Sequence, residues 1–340
     1  MNTPQDVNEQ IDSIVNTFGC DDEPAHRAIV SEMVQTCVKL LSESHDTGQL
    51  KLINAALKEM RYAYGIFNEY LGVRKISIYG SARTPEDHPD YEAARSFARQ
   101  MGDAGWMVIT GAGDGIMKAG HEGPERAANF GLRIRLPFET VANDLIEGDP
   151  KLINFRYFFT RKLMFMAHSD AVAICPGGFG TQDELFEALT LIQTGKNTPI
   201  PVVMLEGEGG VYWDHWDTYI RKNLQDNGWI CEDDLGLYHQ ATSPTDAATH
   251  ALSFYETYHS SRYVHDDLVI RLNHPITAEA VGILNAEFSD IVAKGEIECG
   301  TAHRLEEEHL DKPRLIFHHA RRAYARLRAL IDRINELGAS

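Results

Sequence analysis

Apolar residues recur at helical spacing through the first part of the chain. In residues 29–41 they fall three or four positions apart, and a second stripe of the same kind starts near Gln49. This spacing places the apolar side chains on one face of an α-helix. The pattern therefore predicts a helical region over residues 1–72.

Beyond Arg74 the pattern changes to short apolar runs. The runs cover residues 75–79, 106–110, 132–136, 171–175 and 200–205. Helical patterns lie between most of them, for example over residues 91–101 and 182–194. Strands that alternate with helices predict a parallel sheet with helices on both faces, which we assign to residues 73–232. In such a sheet ligands bind at the carboxyl ends of the strands.

Residues 233–340 show a mixed pattern, which predicts an α+β extension. Residues 268–272 are typical of a strand, and the segment from Arg314 onward carries an apolar stripe that predicts a terminal amphipathic helix. The basic face of this helix favours a solvated surface that offsets nearby acids, rather than a site for a polyanion. Its residues are Arg321, Arg322, Arg326, Arg328 and Arg333.

The composition is that of a globular protein with enough apolar residues for a sizeable core. The chain has 340 residues, 43% of them hydrophobic, and a formal net charge of −18. That charge argues against binding to a nucleic-acid polymer, because such binding depends on neutralising many phosphates. It leaves room for a nucleotide-sized ligand, since backbone amides at a helix N-terminus can hold a single phosphate.

Cysteines and histidines give no sign of a disulfide framework or a metal site. The five cysteines are scattered without a C-x-x-C pair, and the fifteen histidines show no ligand spacing, so we expect neither a metal nor a cofactor. The N-terminus is polar and acidic, unlike a signal peptide, and no apolar run approaches the ~20 residues of a membrane span. We therefore expect a cytoplasmic protein without membrane contact.

Glycine-rich turns follow three of the predicted strands. They are Gly80-Ser81, residues 111–115 (G-A-G-D-G) and residues 176–178 (P-G-G). Glycines let the backbone approach an anion, and the first amides of a following helix point at it. The second turn lacks the dinucleotide spacing G-x-G-x-x-G, and the chain has no G-x-x-x-x-G-K-[ST] for a triphosphate. The turns therefore predict a phosphate site for a smaller ligand.

Residues 176–184, P-G-G-F-G-T-Q-D-E, form the most informative segment. The glycines make the turn, and Thr181 is expected to cap the following helix with a hydroxyl that is also available to phosphate. Asp183 and Glu184 then fall in the first helical turn, where the helix dipole favours acids, so ordinary capping would explain both. Beside a phosphate, however, carboxylates fit better at the other end of the ligand.

Arg161 and Lys162 open a predicted helix shortly before the strand at residues 171–175. Alone, such a pair is typical of a basic surface. The short connection places it beside the same edge of the sheet, however. A cation and a carboxylate that face one small anion are the pattern of an electrostatically organised site.

Together these residues resemble the LOG (Lonely Guy) family, whose members carry P-G-G-x-G-T-x-x-E preceded by an R-K pair. Residues 176–184 complete that motif. Residues 80–83 (G-S-A-R) and 110–117 (T-G-A-G-D-G-I-M) match two further glycine signatures, the second departing from the usual pattern at Ala112. The resemblance covers about residues 74–230, and the terminal regions resemble only a longer bacterial subgroup.

The resemblance implies a Rossmann-like fold, a homodimer or larger homo-oligomer, and hydrolysis of nucleoside 5′-monophosphates to free base and ribose 5-phosphate. AMP-like nucleotides or cytokinin ribotides are the implied substrates. We expect Glu184 to be a catalytic carboxylate that stabilises the ribosyl cation and orients water. Arg161, always protonated, is expected to pair with phosphate, with the departing base or with Glu184. The expected substrate-binding residues are Gly80, Ser81, Arg83, Gly111, Gly113, Gly115, Lys162, Gly177, Gly178, Gly180, Thr181, Asp183 and Glu187.

Two alternatives stay open at this point. A nucleotide sensor or carrier would use the same glycines without any chemistry, although a pure binder has little need of a carboxylate near a phosphate. Lysine decarboxylation, a label long attached to proteins of the LOG family, normally needs a lysine that forms a Schiff base with pyridoxal phosphate. No lysine here stands in a context that singles it out.

Overall fold

The computed structural model describes residues 4–18, 23–43, 45–136 and 141–338. The chain divides into two compact units, Met1–Arg61 and Tyr62–Ser340. Among the described helices, none combines the length and apolar character that a membrane span requires.

The first unit is helical, as predicted. Its helices are α1 (Pro4–Phe18), α2 (Pro24–Lys39) and α3 (Thr47–Phe67), the last of which continues into the second unit. The predicted apolar stripe extends to Leu41, but helix α2 ends at Lys39, so Leu41 lies beyond the helix. The apolar residues of α2 are not buried; Ile29 and Met33 are each 52% exposed.

A parallel sheet forms the centre of the second unit, which confirms the predicted Rossmann-like α/β fold. Over the described residues its strands are β1 (Lys75–Tyr79), β2 (Met107–Thr110), β3 (Asn129–Ile134), β4 (Leu152–Phe155), β5 (Ala171–Ile174), β6 (Val202–Met204) and β7 (His239–Gln240). The strands lie in the order β4-β3-β2-β1-β5-β6-β7. Both faces of the sheet are covered, which explains why the central strands are buried along their whole length.

Helices connect these strands. They are α4 (Pro89–Asp103), α5 (Ile116–Glu122), α6 (Phe158–Ala167), α7 (Phe179–Gln193), α8 (Tyr212–Ile220) and α9 (Pro244–Ser253). The chain proceeds from β1 outward to β4 and then returns to place β5 on the other side of β1. This reversal of direction puts the ends of β2, β1 and β5 side by side, and ligands bind at such a switch point.

Some boundaries differ from the sequence prediction. Strand β7 has two residues, too few to give a pattern, and only Ile153 and Phe155 of β4 are buried; neither strand was predicted. Helix α7 begins at Phe179, so its N-cap is Gly178. The expectation that Thr181 caps this helix is therefore wrong, because the glycines let the helix start before the threonine is reached.

The C-terminal region forms an antiparallel sheet with two helices. In the described part of this region the strands are β8 (Tyr258–Val264), β9 (Asp267–Leu272), β10 (Val292–Gly300) and β11 (Arg314–His319), in the order β10-β11-β9-β8, with helices α10 (Ala278–Glu287) and α11 (Tyr324–Gly338). The predicted helix from Arg314 is wrong at its start. Buried Leu315, Phe317 and His319 alternate with the less buried Ile316 and His318, which is the period of a strand.

The last helix joins the C-terminal sheet to the parallel sheet. Its apolar stripe packs into the core beneath the antiparallel strands, as predicted. Arg328, however, is not on a solvated face: it is 2% exposed and donates a hydrogen bond to the carbonyl oxygen of Ile200 at 3.0 Å. The ring of Tyr324 lies against Gly195, directly after α7. The C-terminal region therefore supports the helix that carries the P-G-G-F-G-T-Q-D-E motif.

Candidate active site

Three glycine turns meet at the carboxyl ends of β2, β1 and β5. Ser81 ties them together, because its amide donates to the carbonyl oxygen of Pro176 at 3.1 Å and its own carbonyl accepts from the amide of Ile116 at 3.0 Å. The hydroxyl of Ser81 accepts from the amide of Arg83 at 3.1 Å. The backbone of Ser81 thus holds the other two turns.

A cavity of about 530 Å³ opens above these turns. Its lining includes these predicted site residues: Gly80, Ser81, Arg83, Gly111, Arg161, Gly178, Gly180, Thr181 and Glu184. The remaining predicted residues lie outside the lining: Gly113, Gly115, Lys162, Gly177, Asp183 and Glu187. The motif glycines thus separate into those that face the cavity and those that shape the turns behind it.

Gly115 and Gly177 shape the turns. A Cβ at Gly115, which has φ +59°, would lie 2.3 Å from the carbonyl oxygen of Ser81. A Cβ at Gly177 would lie 2.1 Å from Oγ1 of Thr181. Both positions need glycine because the chain segments pass too closely for any side chain. Gly178 and Gly180 differ, since a Cβ at either would meet no protein atom within 4 Å.

The turn after β2 is supported by buried polar side chains. His121, 1% exposed, lies 3.0 Å from Oγ1 of Thr110 and 3.3 Å from Oδ1 of Asn143, while Nδ2 of Asn143 donates to the carbonyl oxygen of Gly113 at 2.9 Å. Burial lowers the pKa of His121, so the ring is neutral. This support could not be predicted from the sequence, because His121 and Asn143 are far apart in the chain.

Ala112 stands where the LOG pattern has glycine, and it adopts φ +62°. That is the left-handed region, where alanine is strained by about 1 kcal/mol relative to glycine. Its methyl is buried in a small apolar cluster with Ala142 and Ile146. The methyl thus fills space against the segment that supplies Asn143.

Glu184 lies at the floor of the cavity and is 6% exposed. Nη2 of Arg161 is 3.5 Å from Oε1 of Glu184, and Nζ of Lys162 is 3.5 Å from Oε2. Burial, which these two cations only partly offset, raises the pKa of Glu184. Both contacts are longer than a strong charge-assisted hydrogen bond. The carboxylate is therefore held by charge but keeps capacity to bind water or a ribose hydroxyl.

Lys162 pairs with neighbouring carboxylates and does not line the cavity. Its Nζ lies 2.7 Å from Glu187 and 3.0 Å from Asp183, in a shallow groove that does not include the cavity. Although burial acts to lower it, hydrogen bonds to Glu187 and Asp183 leave the pKa of Lys162 raised. This amine stays protonated and does not fit the role of a Schiff-base nucleophile. Among the described residues that line the cavity, none is a lysine.

Arg161 faces the cavity between two phenylalanine rings. Its guanidinium carbon lies 5.1 Å from the ring centre of Phe158 and 5.7 Å from that of Phe165. Buried Nε of Arg161 has no hydrogen-bond partner in the part of the chain that the structure describes. The side chain thus keeps a hydrogen-bond donor that a ligand could use.

The apolar wall of the cavity was not predicted. It consists of Tyr79, Met117, Ile134, Leu136, Phe158, Phe165 and Phe179. Phe179, the variable residue of the P-G-G-x-G motif, is 95% exposed. A phenylalanine in that motif, and another one turn before Arg161, were the available signals. Aromatic side chains of this kind offer flat surfaces for a planar base.

Comparison with known proteins bears on this central region. A family model described as "Possible lysine decarboxylase" matches residues 112–251. The cytokinin riboside 5′-monophosphate phosphoribohydrolase of Mycobacterium tuberculosis is 28% identical over 143 residues, which make up 42% of this chain and 73% of that protein. A protein of Oryza sativa described as a probable enzyme of the same activity is 27% identical over 141 residues, 40% of this chain and 60% of the rice protein.

The resemblance to the LOG family is confirmed. An Arabidopsis thaliana LOG enzyme with the same described activity is 26% identical over 162 residues, 46% of this chain and 72% of that protein. The residues that the family model matches, 112–251, include the motif with Glu184.

Solved structures overlap with the fold to a lesser degree. The molybdenum cofactor carrier protein of Chlamydomonas reinhardtii is 20% identical and has a TM-score of 0.37, covering 52% of this chain and 94% of that one. DNA processing protein A of Helicobacter pylori is 14% identical with a TM-score of 0.36, covering 53% and 80%. Overlaps of this size do not bear on function.

Proposed function

We propose that this protein hydrolyses the N-glycosidic bond of nucleoside 5′-monophosphates, releasing the free base and ribose 5-phosphate. The observation that carries the proposal is Glu184, a buried carboxylate with a cation beside each oxygen, in the same cavity as three glycine turns. The LOG-family relatives support it. AMP-like nucleotides or cytokinin ribotides are the proposed substrates.

The 5′-phosphate would bind where α7 begins. The first amides of a helix have no acceptor within the helix, and they carry the positive end of its dipole. Gly178 and Gly180 leave open space in front of them. Arg83 lines the same cavity, is exposed, and has no side-chain partner among the described residues. It supplies a local positive charge in a chain of net charge −18.

Cleavage requires a group that stabilises positive charge on the ribose. As the base departs, charge develops near the anomeric carbon, and a carboxylate close to it lowers the barrier and orients the attacking water. Glu184 fits this role because it is buried beside two cations, which favour its ionised form. Arg161 is permanently charged and would stabilise the departing base or hold Glu184 in place.

The base would lie against the apolar wall. Phe158 and Phe179 expose flat rings at the cavity mouth. Stacking on such rings is favourable for any base, so it provides affinity with little selection between bases. The amino acids of this wall do not by themselves distinguish AMP from a cytokinin ribotide.

The exposed rings also support self-association. Phe158, Phe159, Leu163 and Phe179 are each 47% exposed or more, and all lie on α6 or at the start of α7. Exposed apolar patches mark an interface more often than a free surface. We propose a homodimer or larger homo-oligomer that covers these helices, to be measured by sedimentation equilibrium.

The test is the product profile over a panel of nucleotides. Purified protein is incubated with AMP, GMP, CMP, UMP and a cytokinin ribotide, and free base is measured by chromatography. Release of base from at least one of them, and its loss in Glu184→Gln, supports the hydrolase. Tight binding without release in any case would identify a nucleotide sensor or carrier instead.

A further inference from the structure

The hydroxyl of Tyr212 lies behind the P-G-G turn. Tyr212 is the first residue of α8, and its Oη is 2.7 Å from the carbonyl oxygen of Gly177. The same oxygen is 2.7 Å from Nε2 of Gln182, on α7. Oε1 of Gln182 is in turn 2.9 Å from Nε1 of Trp216. Three hydrogen bonds thus connect α8 through α7 to the turn.

The direction of each bond follows from the groups themselves. An indole N–H can only donate, so Trp216 fixes the amide oxygen of Gln182 toward itself. The amide nitrogen of Gln182 therefore faces Tyr212 and donates to it. Since a carbonyl can only accept, the hydroxyl of Tyr212 must give its proton to Gly177. The donor and the acceptor of each of these three hydrogen bonds are therefore fixed.

This bond sets the orientation of the peptide between Gly177 and Gly178. A trans peptide is planar and points its carbonyl and its N–H in opposite directions. With the carbonyl of Gly177 held by Tyr212, the N–H of Gly178 points away from Tyr212. Gly178 lines the cavity, whereas Tyr212 does not. No described residue accepts a hydrogen bond from that amide.

Tyr212 is itself held firmly. Its amide donates to Oε2 of Glu206 at 2.9 Å, so this carboxylate, which follows β6, caps α8. The ring packs edge-on against Trp213, a fully buried side chain, with ring centres 4.8 Å apart. The hydroxyl therefore has a fixed position relative to the parallel sheet. Two consecutive glycines have a flexible backbone and would not hold a fixed position by themselves.

We propose that Tyr212, oriented by Gln182 and Trp216, is a positioning residue that aims the amide of Gly178 at the phosphate of the substrate. The proposal rests on the proposed function for the identity of that phosphate. Tyr212 touches no reacting atom. Its loss should therefore weaken phosphate binding and leave the chemical step intact.

The first experiment compares Tyr212→Phe with wild type and with Tyr219→Phe. Tyr219 is on the same helix, is 53% exposed, and has no partner for its hydroxyl in the described chain. Affinity for ribose 5-phosphate is measured by calorimetry, and KM and kcat are measured on a nucleotide. Tyr212→Phe should weaken ribose 5-phosphate and raise KM by about fivefold, with kcat within about twofold of wild type. Tyr219→Phe should match wild type.

A second variant separates this role from a general effect on folding. Gln182→Met keeps the size of the side chain but leaves Tyr212 unoriented, so it should weaken ribose 5-phosphate by less than Tyr212→Phe does. The double variant should bind no more weakly than Tyr212→Phe alone, because both changes act through one bond. Additive losses of affinity in the double variant would overturn the proposal. If Tyr212→Phe fails to fold, Gln182→Met decides alone. Binding of ribose 5-phosphate by Gln182→Met with the affinity of wild type would then overturn the proposal.

The outcomes distinguish this proposal from the proposed function. Ribose 5-phosphate affinity that falls in Tyr212→Phe supports the positioning role, even if no nucleotide is cleaved and the hydrolase is wrong. If wild type and Tyr212→Phe both release base, with equal KM and equal affinity for ribose 5-phosphate, the hydrolase proposal stands and the positioning role is overturned. A wild-type protein that binds neither ribose 5-phosphate nor a nucleotide overturns both.

Discussion

Arg161 and Glu184 approach each other at 3.5 Å between Nη2 and Oε1, on α6 and α7, the helices that precede and follow β5 in the chain. The distance is too long for a tight ion pair and short enough for strong mutual influence. Such spacing suits a pair that must also contact a ligand.

If the two act as one catalytic unit, their substitutions should not add. Glu184→Gln and Arg161→Met should each lower kcat by about 10²–10⁴-fold, and the double variant should be no worse than the poorer single one. Single-turnover release of base measures this. The matched control is Glu187→Gln, which removes a nearby carboxylate outside the cavity. Multiplying losses in the double variant would show that the two side chains work independently.

The pH dependence of activity should report the environment of Glu184. Its pKa is raised by burial, and the proposed mechanism needs the carboxylate ionised. The acidic limb of the kcat/KM profile should therefore lie above the ordinary glutamate pKa of 4.5. Lys162 lowers that pKa and Glu187 raises it. Lys162→Met should move the limb to higher pH and Glu187→Gln to lower pH; a limb that stays in place in both would exclude Glu184 as the titrating group.

The motif glycines should separate into two classes on substitution. Gly177→Ala forces an overlap with Thr181 and should lower the free energy of unfolding by about 2 kcal/mol. Gly180→Ala meets open space within a helix and should raise it by about 0.5 kcal/mol, while KM rises because the methyl occupies the phosphate site. Gly282→Ala, at an equally open position on α10, should give the same gain in stability with KM unchanged. Denaturant unfolding and steady-state kinetics measure both quantities.

Arg83 should contribute affinity through charge. Arg83→Met should raise KM for a nucleotide by about tenfold at low salt and reduce the increase of KM with ionic strength, because a charge-assisted contact is lost. Arg99→Met, an exposed arginine of α4, serves as the control. Equal salt dependence in all three proteins would place the phosphate elsewhere.

Stability in acid should depend on Glu306, which is buried between Arg271 and Arg314 at 2.7 and 2.9 Å. Against the effect of burial, hydrogen bonds from Arg314, the amide of His303 and Arg271 lower the pKa of Glu306 to about 2. A lowered folded-state pKa gives stability that is present above the ordinary value of 4.5 and is lost as pH falls toward 2. Glu306→Gln should lower the free energy of unfolding at pH 7 by about 3 kcal/mol and flatten its decline in acid. A wild-type slope in the variant would contradict this.

The sequence predicted the parts of the molecule that depend on neighbouring residues. Strand β1, the alternation of strands and helices, and the turns that meet at the switch point follow from local patterns. Local patterns do not predict which glycines face the cavity and which face neighbouring backbone. That division depends on how closely separate segments of the chain pass each other. Gly115 is needed because of Ser81, which lies far earlier in the chain.

Side chains that act across the fold were missed for the same reason. Tyr212 and His121 have ordinary sequence surroundings, and only the packing of their helices brings them to the glycine turns. The helix predicted from Arg314 was wrong because one leucine fits both a helical and a strand period. The sequence shows the departure from the LOG pattern at Ala112 but not its effect on the turn; in the structure Ala112 adopts the left-handed backbone and its methyl is buried.

The contact of Tyr324 with Gly195 has a consequence during synthesis. The helix that carries Glu184 leaves the ribosome long before the last helix exists, and chains fold from the N-terminal end as they emerge. Until Tyr324 and Arg328 arrive, one side of that helix and the carbonyl of Ile200 lack their partners. A nascent chain should therefore hold an incompletely supported cavity until Tyr324 and Arg328 have left the ribosome.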